Sequence, residues 1–97
     1  MLNLEQQAII LEVLSPYCPV QVGIFGSFAR GEETESSDID ILIDFGQSRL
    51  TLFDMVSIGD ILESRLGRKV DLVTKNGLSQ FLKPKIEHEL IIISRAA

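Results

Sequence analysis

The chain has 97 residues, 45% of them hydrophobic and 24% charged, the proportions of a folded domain rather than of a disordered segment. Its net charge of −5 argues against general nucleic-acid binding, because such a chain repels phosphate backbones instead of displacing their counterions. Apolar runs such as Ile91-Ile92-Ile93 are far too short to span a bilayer, and the start Met1-Leu2-Asn3-Leu4-Glu5 has no signal pattern, so a cytoplasmic protein of one domain, residues 1–97, is expected.

Asn3 followed by Gln6 has the spacing of a capping box, and Leu4, Ala8, Leu11 and Leu14 then recur at helical spacing until Ser15-Pro16. Cys18 has no second Cys to pair with and no His at metal-ligand spacing, which leaves it a packing role. Val20, Val22 and Ile24 alternate with Gln21, Gly23 and Phe25, the pattern of a strand, which ends at Gly26-Ser27. Phe28-Ala29-Arg30 is one helical turn before Gly31, and the acidic stretch Glu32 to Ser37 reads as an exposed loop.

A second strand begins at Asp38, with Ile39, Ile41, Ile43 and Phe45 on one face and Asp38, Asp40, Leu42 and Asp44 on the other. Thr51 and Asp54 form the capping box of a helix carrying Leu52, Met55, Val56, Ile58, Leu62 and Leu66, with Gly67 placed to end it. Arg68 to Val73 is a third strand, and Asn76-Gly77 a turn. Pro84 opens a last helix with a Leu82, Ile86, Leu90, Ile93 stripe. Leu90 to Ile93 suits a short strand equally well. The expected architecture is α+β, a small mixed β-sheet covered by helices.

Asp38 and Asp40 lie two residues apart on a strand, so their Cα atoms are roughly 6.6 Å apart and both carboxylates leave one face. Like charges at that spacing call for a cation, and a hard ion such as Mg²⁺ favours carboxylate oxygens. Acids shared between two ions about 3.5 to 4 Å apart can activate an attacking oxygen and stabilise a leaving one. Gly26 lets a phosphate approach backbone N–H groups, Ser27 adds a hydroxyl, and Arg30 is one turn away. Asp71, flanked by Val70 and Leu72, completes a three-carboxylate cluster if its strand lies beside that of Asp38; otherwise it pairs with Lys69 or Arg68. Asp44, roughly 13 Å along the strand from Asp40, is too far to share an ion. His88 lies between Glu87 and Glu89 and is expected to be solvated.

Gly26-Ser27-Phe28-Ala29-Arg30-Gly31, followed by Ser37-Asp38-Ile39-Asp40 and Ile41-Leu42-Ile43, resembles the signature of the DNA polymerase β-like nucleotidyltransferase superfamily. Within it the chain is most similar to the minimal nucleotidyltransferase (MNT) antitoxins. Leu66 to Val73 and the Leu78, Leu82, Pro84 segment extend the similarity over nearly the whole chain. The resemblance implies that Gly26, Ser27, Arg30 and Ser37 hold the triphosphate of ATP. It further implies that Asp38 and Asp40 ligate Mg²⁺ and that Asp71 is the third acid, as metal ligand or base. An acceptor hydroxyl would attack the α-phosphorus, leaving AMP on the acceptor.

The same resemblance implies a partner, a helical HEPN toxin modified on a tyrosine. A small core and the run Leu90 to Ile93 fit a homo- or hetero-oligomer, although that run fits the core as well. Two other functions compete with an adenylylating antitoxin. One is a non-catalytic antitoxin that neutralises its partner by covering it; the other is an acidic structural domain with solvated charges.

Overall fold

The Asn3 side chain accepts from the Gln6 N–H at 2.7 Å, and Gln6 accepts from the Asn3 N–H at 3.0 Å. This reciprocal cap satisfies two donors that the first turn would otherwise leave unpaired, and it starts α1, Leu4–Leu14. The computed structural model describes residues 2–48 and 50–95. Ile10 and Leu14 of α1 are fully buried, with Leu11 and Val13 packed beside them, whereas Leu4 and Ala8 are exposed. The expected stripe is therefore wrong at its first two positions. Leu2, buried just ahead of the helix, fills the core from that end.

Ser15-Pro16 ends α1 in a 3₁₀ turn, Ser15–Tyr17, and Cys18 follows in the left-handed region at φ 50°. Cys18 is exposed, so the expected packing role is corrected. It terminates a turn on the surface instead of filling the core.

Seven further elements follow: β1 (Gln21–Phe25), α2 (Ser27–Arg30), β2 (Ile39–Asp44), α3 (Leu52–Leu66), β3 (Val70–Thr74), α4 (Lys83–Glu89) and β4 (Ile91–Arg95). The Thr51–Asp54 capping box and the left-handed Gly67 bound α3 as expected. A 3₁₀ turn at Lys75–Gly77, capped by the Thr74 side chain, occupies the expected Asn76-Gly77 turn.

The sheet has the order β3-β2-β1-β4. β1 is antiparallel to both β2 and β4, while β2 and β3 run parallel and are joined through α3, as a parallel pair requires a crossover. The ambiguous run after Leu90 is a strand. β1 would otherwise leave its second edge of N–H and C=O groups unpaired, and β4 covers it with one irregularity between Val22 and Gly23.

Alternation along the strands builds two apolar clusters, one on each face of the sheet. Val22, Ile24, Ile39, Ile41 and Ile43 join Ile10 and Leu14 of α1 and Ile58 and Leu62 of α3 in the larger. Phe25 and Leu42 meet Ile86 of α4 in the smaller, with Val73, Leu78 and Leu90 around it. The face carrying Asp40 is thus only half acidic. Its apolar positions are covered by α4, which the sequence pattern did not place there. Among the described residues no helix is long and apolar enough to cross a membrane.

Candidate active site

Asp40 stands opposite Phe25 on β1 and opposite Asp71 on β3. Residues paired in a parallel ladder leave the same face of the sheet, on strands about 4.8 Å apart, so the register alone sets Asp71 beside Asp40. Asp38 is two residues before Asp40, just ahead of β2, where the Ile39 N–H donates to the Lys69 carbonyl at 2.9 Å. The three acids predicted to work together are therefore gathered at the edge of the sheet where β2 and β3 begin and β1 ends. Among the described residues no ion pair to Asp71 is formed, and Arg68 donates to loop carbonyls instead.

Gly26 follows Phe25 with φ 74° and ψ −155°, a backbone shape that side-chain-bearing residues rarely adopt. A Cβ there would overlap the Asp40 carboxylate, so the Gly-Ser turn can lie directly against the acid. Gly26, Ser27, Arg30, Asp38 and Asp40 line one cavity of about 450 Å³ with Phe25, Leu82, Lys85, Ile86 and Glu89. A cavity of about 400 Å³ at the far end of β2, lined in part by Asp44, Phe45 and Lys75, contains none of the predicted site residues. Asp44 is occupied there, accepting from the Gly46 N–H at 2.8 Å with Lys75 at 3.7 Å.

Burial pushes the Asp40 carboxyl up to about 6; the charges of Asp71, Asp38 and Glu89 act in the same direction, and Arg30 opposes them. An ionised Asp40 is thus costly in the bare protein, and a cation would relieve that cost. Every candidate donor is a carboxylate oxygen, which suits a hard ion such as Mg²⁺. Among the described residues no three acids, His or Cys already close on one point as a metal cage. The residues fit an ion whose coordination shell is completed by a ligand's own oxygens.

Two predicted residues, Asp71 and Ser37, are outside the lining of the cavity beside Asp40. Asp71 is exposed beside Asp40 on the neighbouring strand, and Ser37 serves the loop. The Ser37 hydroxyl accepts from the Thr34 N–H at 2.8 Å, tightening the loop that carries Asp38. Arg30 lines the cavity, but its Nε donates to Glu32 at 2.7 Å and its Nη1 to Glu89 at 2.8 Å. Among the described residues nothing bonds the Ser27 hydroxyl, which stays free to donate.

Three residues escaped the sequence patterns. Glu89 accepts from both Gly26 and Arg30. Lys85, one helical turn earlier on α4, brings a cation to the cavity wall. Arg68 donates from Nη1 to the carbonyls of Thr34, Ser37 and Glu35 at 2.8, 3.1 and 3.3 Å, and its guanidinium lies 5.0 Å from the centroid of the Phe28 ring. Pro84 marked the start of α4 in the sequence, but no local pattern placed that helix at the site.

A family model described as a nucleotidyltransferase domain matches residues 4–93. A candidate protein adenylyltransferase of Methanocaldococcus jannaschii is 40% identical over 82 residues, which are 84% of this chain and 87% of the relative. The protein adenylyltransferase MntA of Thermococcus cleftensis is 37% identical over 73 residues, 75% of this chain and 73% of MntA. A solved toxin–antitoxin complex with AMP-PNP superposes with a TM-score of 0.83 at 23% identity, over 93% of this chain and 73% of its counterpart. A chain of the complex between a tri-AMPylated HEPN toxin of Shewanella oneidensis and its MNT antitoxin gives 0.77 at 20% identity, over 95% and 71%. At those identities the structural likeness concerns the fold, a small mixed sheet flanked by helices.

Proposed function

The chain belongs to the nucleotidyltransferase domain family, and from that premise we propose that it transfers AMP from ATP to a tyrosine hydroxyl of a partner HEPN toxin. It would thereby act as the antitoxin of a toxin–antitoxin pair in the cytoplasm, with residues 1–97 forming one catalytic domain. The observation that carries this proposal is the register of β2 and β3, which sets Asp71 beside Asp40 next to the Gly26-Ser27 turn. The name of MntA as a protein adenylyltransferase and the modified HEPN toxin of the Shewanella complex support the choice of reaction and of partner.

Gly26, Ser27 and Arg30 hold the triphosphate, while Ser37 fixes the loop behind Asp38. Asp38 and Asp40 hold Mg²⁺, with Asp71 as a further ligand or as the base. When bound, the metal neutralises charge on the phosphates and on the leaving group. The acceptor oxygen forms a bond to the α-phosphorus as the bond from that phosphorus to the pyrophosphate oxygen breaks, and the hydroxyl proton passes to a carboxylate. Asp71 is exposed and is the acid that an incoming hydroxyl can reach. Positioning and charge neutralisation supply most of the rate in such a step.

The test is intact-mass spectrometry of a HEPN partner after incubation with the chain and Mg-ATP, with the double substitution Asp38→Asn/Asp40→Asn as the control. The expected result is a gain of whole AMP units that the double variant abolishes. Tight binding and silencing of the partner with no mass gain would replace this proposal with that of a stoichiometric inhibitor.

A further inference from the structure

Gly23 of β1 has no side chain where Leu90 crosses the strand. A Cβ at that position would lie 2.6 Å from Leu90 Cδ1, 3.0 Å from its Cγ and 3.3 Å from the Ile91 carbonyl oxygen. The bare backbone lets Leu90 seat directly on β1, and this fixes the joint between α4 and β4 against the strand that leads into the Gly-Ser turn. The residue just before that joint is Glu89.

Glu89 spends its two carboxylate oxygens on the two ends of the turn. Oε1 accepts from the Gly26 N–H at 2.9 Å, and Oε2 accepts from Arg30 Nη1 at 2.8 Å. Its side chain is only 13% exposed, against 42% for Arg30. Burial pushes the Glu89 carboxyl up, but the bonds from Arg30 and Gly26 outweigh it and hold it below the usual carboxylate range. The anion therefore stays charged and attached at both points.

We infer that Glu89 is a positioning residue: it locks the Gly26 backbone and the Arg30 guanidinium in the arrangement that receives a triphosphate, an inference that rests on the nucleotidyltransferase proposal above. Guanidinium has five N–H donors in a fixed fork. Nε and one Nη1 proton are taken by Glu32 and Glu89, and the rest remain for phosphate oxygens. An arginine left free would lose its rotamer freedom on binding the nucleotide, whereas one held by Glu89 has lost it already. Immobilising one such side chain corresponds to roughly a twofold to tenfold change in affinity. The carboxylate also adds negative charge beside the phosphate site, which on charge alone opposes binding, whereas holding Arg30 in place favours it. The sign separates a positioning residue from an internal competitor.

The experiment measures Mg-ATP affinity by calorimetry for wild type, E89A, E89Q, R30A and R30A/E89A. E89A is expected to weaken binding about tenfold, and R30A/E89A to bind little worse than R30A, because Glu89 acts largely through Arg30. E89Q separates folding from positioning: its amide oxygen still accepts from the Gly26 N–H while Glu89's own ionic hold on Arg30 is gone and only the pair with the exposed Glu32 is left, so it should fold and bind between wild type and E89A. Side-chain ¹⁵N relaxation of Arg30 in the nucleotide-free protein should show the guanidinium ordered in wild type and mobile in E89Q. Unchanged affinity in E89A and E89Q would overturn the inference and leave Glu89 a fold-stabilising contact. Tighter binding would overturn it in favour of a competitor. Wild type that fails to bind Mg-ATP would remove the nucleotidyltransferase proposal itself and the inference with it.

Discussion

At the scale of single residues, Asp40 is where fold and chemistry conflict most directly. It lies among Asp38, Asp71 and Glu89 under partial cover, and its carboxyl is raised to about 6 from an ordinary 3.8. A group that binds its proton more tightly in the folded than in the unfolded chain stabilises the fold while protonated. That contribution is complete below the unfolded value and is lost as pH rises through about 6. Asp40→Asn removes the ionisation and keeps the shape. The nucleotide-free variant should therefore melt above wild type at pH 7.5, with the advantage shrinking as pH falls to 5. Millimolar Mg²⁺ at pH 7.5 should raise wild type and leave the variant almost unmoved. A difference in melting temperature that is constant across that pH range would mean that Asp40 carries no such burden.

At the scale of elements, the acids depend on a loop with almost no regular structure of its own. Between α2 and β2 the chain is tethered to the start of β3 by Arg68, whose Nη1 lies within hydrogen-bond distance of three carbonyls while its guanidinium lies over Phe28. Arg68→Ala should cost about 1.5–3 kcal/mol in stability, the range for hydrogen bonds to a charged group. It should also speed amide exchange across Glu35 to Asp38 and weaken Mg-ATP binding. Arg68→Lys restores the charge but not the planar fork, so recovery should be partial; full recovery would show that charge alone matters at this position.

What local patterns can encode is clear from the same elements. The two capping boxes, the Gly67 stop, the alternation of Ile39, Ile41 and Ile43 and the Gly26-Ser27 and Asp38-Asp40 motifs were all legible, because each is written within a few residues. The buried face of α1 was not. Its apolar residues are spread over more than one face, and only the docking of Leu2, Ile10 and Leu14 decides which face is buried. Glu89 was invisible for a different reason: it meets Gly26 from 63 residues away, and no spacing rule reaches that far. β4 shows the same dependence, since the run after Leu90 becomes a strand because β1 has an open edge to fill.

At the scale of the whole molecule, the chain is an acidic protein with a net charge of −5, and its proposed substrate is a polyanion. Among the described residues that line the cavity, three acids, Asp38, Asp40 and Glu89, face two cations, Arg30 and Lys85, so the local balance also opposes ATP unless divalent ions accompany it. The consequence can be read in thermal stability. A ligand that binds only the folded state stabilises it by about 2.7 kcal/mol at a hundredfold excess over its Kd. For a domain of this size, each kcal/mol moves the melting temperature by about 4–8 °C. Mg-ATP at that excess should therefore raise the melting temperature by about 10 °C or more, and the same ATP with a chelator should raise it hardly at all. An equal rise without divalent ions would mean that Arg30 and Lys85 suffice to hold the triphosphate, and that Asp38, Asp40 and Asp71 are gathered for some purpose other than a cation.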